Sequence, residues 1–484
     1  MNLNDLLSTI YLHQNLPETN VEHISVDTRD VPESSLFILL EGSNFDPHTK
    51  VKEIEDNVSF FIAEKEINTH RPYIIDPHVR GNLSEIFSSF YNQPETKMEH
   101  IGISGTNGKT SVGSIIQHLF TGYKKSSYIG TLGIQIDKEP ITFNLNTPTT
   151  PQAPELFRIL NYFAENNIET NIMEVSSHAL QQKRTNGVPF KYGVFTNLTK
   201  DHLDYHKTME KYLKAKKVLF DELPSDSYAI INNDDAYADQ ITSDCNAEIV
   251  TYGIEHKSDF QVTAIQISES GTTFSILYNE NEYHFETSLI GAFNIYNLAA
   301  AISICYLEGM DYSTIKTLVK SFKGVPGRLE KVLTSQRNIY VDYAHTPDGL
   351  ENVLETLNEL KTDNKVITVF GCGGDRDIEK RPLMGKIAEE RSDVVIVTSD
   401  NPRTEKPELI IEDIAFGMEE QPISIKNRKH AIQKAIELST SDDLILIAGK
   451  GHEDYQIIGK EKIDFDDKLV SMDILHNLEY LVSH

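Results

Sequence analysis

The sequence has no tryptophan, only three cysteines in 484 residues, and far fewer cations than anions. The missing tryptophan bears on no function. Cys245, Cys305 and Cys372 stand at spacings that build neither a disulfide framework nor a zinc site, which points to a reducing compartment. Lys and Arg total 45 against 73 Asp and Glu, a formal net charge of −28. General nucleic-acid binding rests on many cation–phosphate contacts, so no nucleic-acid partner is expected, and any anionic substrate has to be held by local clusters. No run approaches the ~18 apolar residues of a membrane span. The opening stretch MNLNDLLSTIYLHQNLPETN lacks a basic region followed by an apolar one. The expectation is a soluble, cytoplasmic protein without membrane insertion.

What is present is a long α/β pattern. At roughly 150 residues per domain the length suggests about three domains. From residue 99 the order is strand (HIGISG), Gly-rich turn (TNGKTS) and a helix with apolar residues at helical spacing (VGSIIQHLF). Apolar, β-rich runs follow at NIMEVSS, KYGVFTNL, SYAIINNDD and EIVTYG, and predict a mostly parallel, doubly wound sheet. Residues 259–290 alternate apolar and polar side chains around Gly271 and a turn at 279–282, which predicts an attached β-meander, with a helix over about 294–308. After KGVPGRLE (323–330) the alternation restarts with NIYVDYAH, KVITVFGCGG, DVVIVTSDNP and DLILIAGKGH. The fold class is therefore α/β in three domains: a small N-terminal α/β domain (1–98), a central phosphate-loop domain with a mostly parallel sheet (99–328), and a C-terminal Rossmann-like domain (329–484) hinged near Gly327.

The strongest chemical signal is Gly105-Thr106-Asn107-Gly108-Lys109-Thr110-Ser111 between a strand and a helix. Backbone N–H groups of such a loop surround phosphate oxygens at a helix N-terminus, Lys109 neutralises the outer phosphates, and the Thr110 hydroxyl reaches Mg²⁺. Ile103 stands where the general pattern has glycine, so the loop is a variant. Glu174 in EVSSH and His202 in DHLDYH end two further strands. The carboxyl ends of parallel strands form the ligand crevice of open α/β sheets, which makes both candidate Mg²⁺ ligands facing the loop.

GTNGKTS, EVSSH, DHLDYH, GAFNIYN, GVPGRLE, DYAHTP and GKGHE, in this order over about residues 25–467, resemble the Mur ligases, ATP-dependent amide-bond ligases of peptidoglycan precursor synthesis. Within them the chain is most similar to the tripeptide synthetases that extend UDP-N-acetylmuramoyl-L-alanyl-D-glutamate. The resemblance implies a UDP-muramoyl-binding, an ATP-binding and an amino-acid-binding domain. It implies ATP and Mg²⁺, an acyl phosphate formed on the substrate carboxylate, and attack on it by the incoming amine. A carboxylate at pH 7 is a poor electrophile, so a phosphate leaving group is chemically sensible, and the crowded anions then require cations.

The same resemblance implies roles by position. Lys109, Glu174, His202 and Lys216 would be catalytic, Lys216 as a carbamate that joins Thr110, Glu174 and His202 around Mg²⁺. Read alone, the Lys214/Lys216/Lys217 run is a solvated helix face. Gly105 to Ser111 with Asn294, Arg328, Asp342 and His345 would hold ATP, while Asn297 and Lys323 read as caps or surface groups. Thr28 and His48, with Thr149, Thr150, Ser176 and Arg184, would hold the UDP-muramoyl dipeptide. Thr28 and Pro47 stand where the family usually has Ser and Gly, and a plain surface loop remains the other reading of residues 41–48.

Arg376, Asp400, Asn401, Arg403, Gly449 and Glu453 would read the incoming amino acid. Asp400-Asn401-Pro402-Arg403 could equally be an Asx-Pro turn. In the family this form goes with meso-diaminopimelate, whose second carboxylate a guanidinium can grip bidentately. The other readings are a lysine-adding Mur ligase, a folylpolyglutamate synthase-like ligase, and an inactive nucleotide-binding regulatory relative. A monomer is expected.

Overall fold

The computed structural model describes residues 1–12, 16–42, 45–143, 145, 147, 149–332 and 337–482. Its strands fall into three main sheets that follow one another along the chain. The first holds His23–Ser25, Ser35–Leu39, Val58–Ala63 and Tyr73–Ile75, all parallel and in sequence order. Ser35–Leu39 is buried along its whole length because both faces are covered, as parallel strands require. Leu36 and Ile38 face a core shared with the central unit, while Phe37 and Leu39 pack on Val51 and Ile54.

The central sheet has eleven strands. Its parallel middle runs in the spatial order Glu248–Gly253, Tyr228–Asn232, Phe190–Phe195, Glu99–Ser104, Thr170–Glu174, Ser126–Gly130. The meander read from alternation is present as Phe260–Ser268, Gly271–Tyr278 and Asn281–Thr287, the latter two antiparallel, and extends one edge of this sheet. The phosphate-loop strand Glu99–Ser104 lies between Thr170–Glu174 and Phe190–Phe195. Chain order reverses direction there, so the crevice at the strand ends opens beside the loop. One face is covered by the helices Lys109–Leu119 and Ala292–Leu307, the other by Ala153–Glu165 and Met209–Asp221.

The C-terminal sheet runs Glu330–Val332, Asn338–Asp342, Leu444–Ala448, Val366–Phe370, Val394–Val397, Ile423–Ser424, parallel after the first pair. Its continuous Val/Ile/Leu runs are buried on both faces. The linker closes on this unit through two glycines. Gly327 and Gly451 both have positive φ, and a Cβ built on Gly327 would lie 2.6 Å from the Gly451 Cα, so neither position tolerates a side chain. All three cysteines are free thiols. Among the described residues no helix is long and apolar enough to cross a membrane.

The last helix, Asp467–Val482, is tied to the C-terminal sheet by a fully buried ion pair: Arg428 donates to both Asp467 carboxylate oxygens at 2.7 Å and to the Ala448 carbonyl at 2.9 Å. Removing one partner leaves the other charged and desolvated, a loss of about 3–5 kcal/mol. Arg428→Met should therefore lower the thermal midpoint of the C-terminal unit and speed amide exchange in Leu444–Ala448; an unchanged midpoint and exchange pattern would show the pair to be dispensable.

Candidate active site

The phosphate loop is shaped by its neighbours as much as by its own glycines. Gly108, at φ +88°, caps the helix Lys109–Leu119, and a Cβ there would sit 2.6 Å from Asn297 Oδ1. Thr196 Oγ1 donates to the Asn107 carbonyl at 2.6 Å, and the Asn107 N–H donates to Asn197 Oδ1 at 2.9 Å. Thr106 is buried beside the Tyr212 hydroxyl, 3.2 Å away.

Two ammonium groups converge on one oxygen. Lys109 Nζ donates to the carbonyls of Gly105 and Thr106 at 2.9 Å each, and Lys216 Nζ donates to the same Gly105 carbonyl at 2.6 Å. Lys216 is buried because Tyr212, Ala215, Lys216, Leu219 and Phe220 share the inner face of Met209–Asp221. Lys214 is exposed, and Lys217 pairs with Asp221 and Asp244. The solvated-face reading of the lysine run therefore fails at Lys216 alone. Desolvation and the neighbouring Lys109 push the Lys216 amine far below the usual lysine value, and desolvation lowers Lys109 as well.

Glu174 is fully buried and accepts from the Tyr128 hydroxyl, the Thr131 N–H at 3.0 Å and the Thr131 hydroxyl at 3.1 Å. His202 has left-handed backbone (φ +53°), and its ring lies 3.3 Å from Asp201 and 5.0 Å, centroid to centroid, from His178. Thr150, Ser176 and Arg184 form one cluster at the end of Thr170–Glu174: Thr150 Oγ1 lies 3.2 Å from Ser176 Oγ, and Arg184 donates to the Thr150 carbonyl at 2.8 Å. Thr149, at φ +69°, touches Thr131 at 3.3 Å. Thr28 and His48 lie in the N-terminal unit, and among the described residues no hydrogen bond joins either to that cluster. His48 Nδ1 faces Asp46 at 2.6 Å, with its Nε2 buried and unpartnered. Ser43 and Asn44, in the 41–48 segment beside His48, lie outside the described residues.

A cavity of about 390 Å³ opens between the loop and the C-terminal unit. Asn107, Gly108, Ser111, Tyr296, Asn297, Arg328, Asp342, Tyr343 and His345 are among its walls. Asn297, set aside as a cap or surface group from sequence, faces this space, whereas Asn294 is buried and donates to the Ile290 carbonyl at 2.9 Å. Asp348 was not foreseen either: it accepts from Asn107 at 2.6 Å, tying loop to C-terminal unit. Arg328 joins both sides, its guanidinium 4.5 Å from the Tyr343 ring centroid and donating to Thr110 Oγ1 at 3.1 Å. Asp342 accepts from the N–H groups of Leu329 and Ala344, both at 2.6 Å, and burial pushes its carboxyl up to about 6 despite Arg328.

A second cluster lies at the carboxyl ends of the C-terminal strands. Asn401 donates to Glu453 at 2.8 Å. Arg403, at φ +50°, bridges to the 457–459 turn through its backbone and donates from Nη1 to the Gly374 carbonyl at 2.8 Å. Arg376 donates to its neighbour's carbonyl and is exposed. Gly449 has φ +114°, and a Cβ there would lie 2.9 Å from Asp400 Oδ2. Lys450, absent from the residues picked by sequence, is completely buried in this cluster.

A strand–loop–helix phosphate cradle facing a cavity walled by a second α/β unit defines a phosphate-loop protein of two adjoining α/β units. The Mur ligase middle domain matches residues 103–305, and the Mur ligase glutamate ligase domain matches 327–451. The chain is 39% identical over 487 residues to the UDP-N-acetylmuramoyl-L-alanyl-D-glutamate–2,6-diaminopimelate ligase of Bacillus cereus, covering 98% of both. It is 39% identical over 490 residues to the protein of the same name from Clostridioides difficile, covering 99% of this chain and all of that one. A solved structure of a ligase with that name superposes with a TM-score of 0.69 at 31% identity over 99% of each chain. The chain belongs to the Mur ligase family.

The titrating groups fix a pH signature. Burial holds His100, His178, His206, His345 and His452 down to about 4, so between pH 4 and 6.5 the unfolded chain binds protons the folded one does not, and stability rises with pH. Asp342, raised to about 6, acts with the opposite sign over pH 4 to 6. Asp342→Asn should steepen the rise in unfolding free energy, read from urea titrations, across that window by up to about 1.4 kcal/mol per pH unit. A slope equal to wild type would place the Asp342 carboxyl at an ordinary value.

Proposed function

We propose that this enzyme joins meso-diaminopimelate to UDP-N-acetylmuramoyl-L-alanyl-D-glutamate at the expense of ATP, acting in the cytoplasm as a monomer with Mg²⁺. The γ-phosphoryl group of ATP passes to the dipeptide carboxylate, the amine of the incoming amino acid attacks the acyl carbon, and inorganic phosphate leaves. Lys109 and Arg328 are the cations available where phosphate charge gathers, and in this reading the loop N–H groups and Asn297 orient the nucleotide. Glu174 and Thr110 supply oxygens, the ligand type Mg²⁺ takes beside substrate phosphates, and His202 lies at the adjacent strand end. Among the described residues no three His, Cys, Asp or Glu side chains converge on one point, so a carbamate on Lys216 would supply the missing anionic ligand. CO₂ adds to a neutral amine, and burial drives Lys216 towards that state. When bound, Mg²⁺ would neutralise charge on the phosphates and the carboxylate.

The division of labour among residues 1–98, 99–328 and 329–484, binding UDP-muramoyl, ATP and amino acid respectively, belongs to the same reading, and the segregation of the strands supports it. Thr28, His48, Thr149, Thr150, Ser176 and Arg184 then hold the UDP-muramoyl dipeptide, and Arg376, Asp400, Asn401, Arg403, Gly449 and Glu453 the amino acid. The observation that carries the substrate choice is Arg403, a guanidinium fixed by its own backbone register beside the acidic Asp400–Glu453 cluster. Meso-diaminopimelate and lysine share an α-amino acid head and differ in the distal carboxylate. Charged hydrogen bonds contribute about 1.5–3 kcal/mol each, so a bidentate grip gives a preference on the order of 10³ over lysine. Phosphate release with each amino acid, in wild type and Arg403→Ala, should show that preference and its collapse in the variant. Wild-type preference for lysine, or an unchanged ratio in the variant, would overturn the reading.

A further inference from the structure

The acidic cluster at the amino-acid end contains a cation to which no role has been given. Lys450 Nζ is wholly buried, 3.0 Å from Glu453 Oε2, 3.3 Å from Asn401 Oδ1 and 3.5 Å from Asp400 Oδ1. Asp400 Oδ1 is itself buried and has no hydrogen-bond partner, so the ammonium is its nearest compensation. The neighbouring cation, Arg428, is held in a bidentate pair with Asp467, but its Nη1 has no hydrogen-bond partner among the described residues and its charge also acts on Asp400 and Glu453. Asp400 and Glu453 thus share the Lys450 ammonium, and with Arg428 balanced by Asp467 the cluster keeps a net charge of −1.

The same lysine also links the two ends of the site. Asn401, held by Lys450 and Glu453, accepts from the Ile457 N–H at 2.9 Å, and the Ile457 carbonyl accepts from the Arg403 N–H at 3.0 Å. Without the ammonium, Asp400 and Glu453 would repel each other, and Glu453 would be free to turn to a neighbouring guanidinium, Arg428 or Arg403, cancelling the separation of acidic and basic poles that a zwitterionic diamino acid needs.

We propose that Lys450 is the positioning residue of the amino-acid site: it holds Asp400, Asn401 and Glu453 in one frame and keeps Glu453 apart from Arg403, so that an ammonium and a distal carboxylate each meet an unspent partner. This rests on the amino-acid ligase reading above. The test begins with phosphate release by wild type across diaminopimelate, lysine and ornithine, followed by full kinetics of Lys450→Met and Lys450→Arg. Lys450→Met should raise KM for the amino acid about 10- to 100-fold, the range of a lost charged hydrogen bond. KM for ATP and for the UDP-muramoyl dipeptide should stay within about threefold, as for uncoupled sites. Lys450→Arg should recover part of the loss, and Lys450→Met should add little in a Glu453→Gln background. If Lys450→Met does not fold, Lys450→Gln, which keeps a donor without charge, reads the same split. Equal rises in all three KM values, a fall in kcat alone, or additivity with Glu453→Gln would overturn the positioning role. If wild type uses lysine or ornithine instead, the diaminopimelate reading fails while the positioning role is read on the amino acid that is used; turnover with none of them would overturn both.

Discussion

One carbonyl oxygen, that of Gly105, accepts hydrogen bonds from two ammonium groups, and the rest of the central unit is arranged around that fact. Neither Lys109 nor Lys216 is hydrogen-bonded to a carboxylate among the described residues. Two lysine Nζ groups crowded on one neutral oxygen at the mouth of a helix N-terminus form an arrangement that an anion resolves. Burial makes each amine easier to deprotonate than in water, so the site carries its charge only at a cost that a bound phosphate would remove. The sheet order supplies the geometry: the loop strand lies between the strands ending at Glu174 and Phe195, so every element of the crevice comes from adjacent strand ends.

In the C-terminal unit the charge balance is the opposite. There the buried cation is outnumbered, and Arg403 donates to the Gly374 and Asn401 carbonyls but, among the described residues, to no carboxylate. The central and C-terminal units are joined by the Gly327–Gly451 approach, by Arg328 reaching Thr110, and by Asp348 holding Asn107.

Much of this was legible because it is local. The phosphate loop, the meander and the restart of β/α alternation are written in contiguous residues, and the family resemblance rests on motifs of that kind. Lys216 required one further step, since its burial follows from helical spacing against Tyr212 and Phe220 and not from the lysine run itself. Asn297 and Asn294 lie one helical turn apart, and only the placement of the helix Ala292–Leu307 decides which faces the cavity. Asp348 and Asn107 are 241 residues apart, and a contact of that span leaves no periodic trace. The Arg428–Asp467 pair and the Lys450 cluster are of the same kind: charges whose meaning comes from burial, which composition does not report.

The central claim is that the phosphate gathered at Gly105 is transferred to a substrate carboxylate before the amide forms. Isotope tracing tests it directly, with the UDP-muramoyl dipeptide carrying ¹⁸O in the glutamate side-chain carboxylate and turnover supported by ATP and diaminopimelate. The account predicts one ¹⁸O in each molecule of inorganic phosphate released; phosphate free of ¹⁸O, with amide formed at the normal rate, would contradict it.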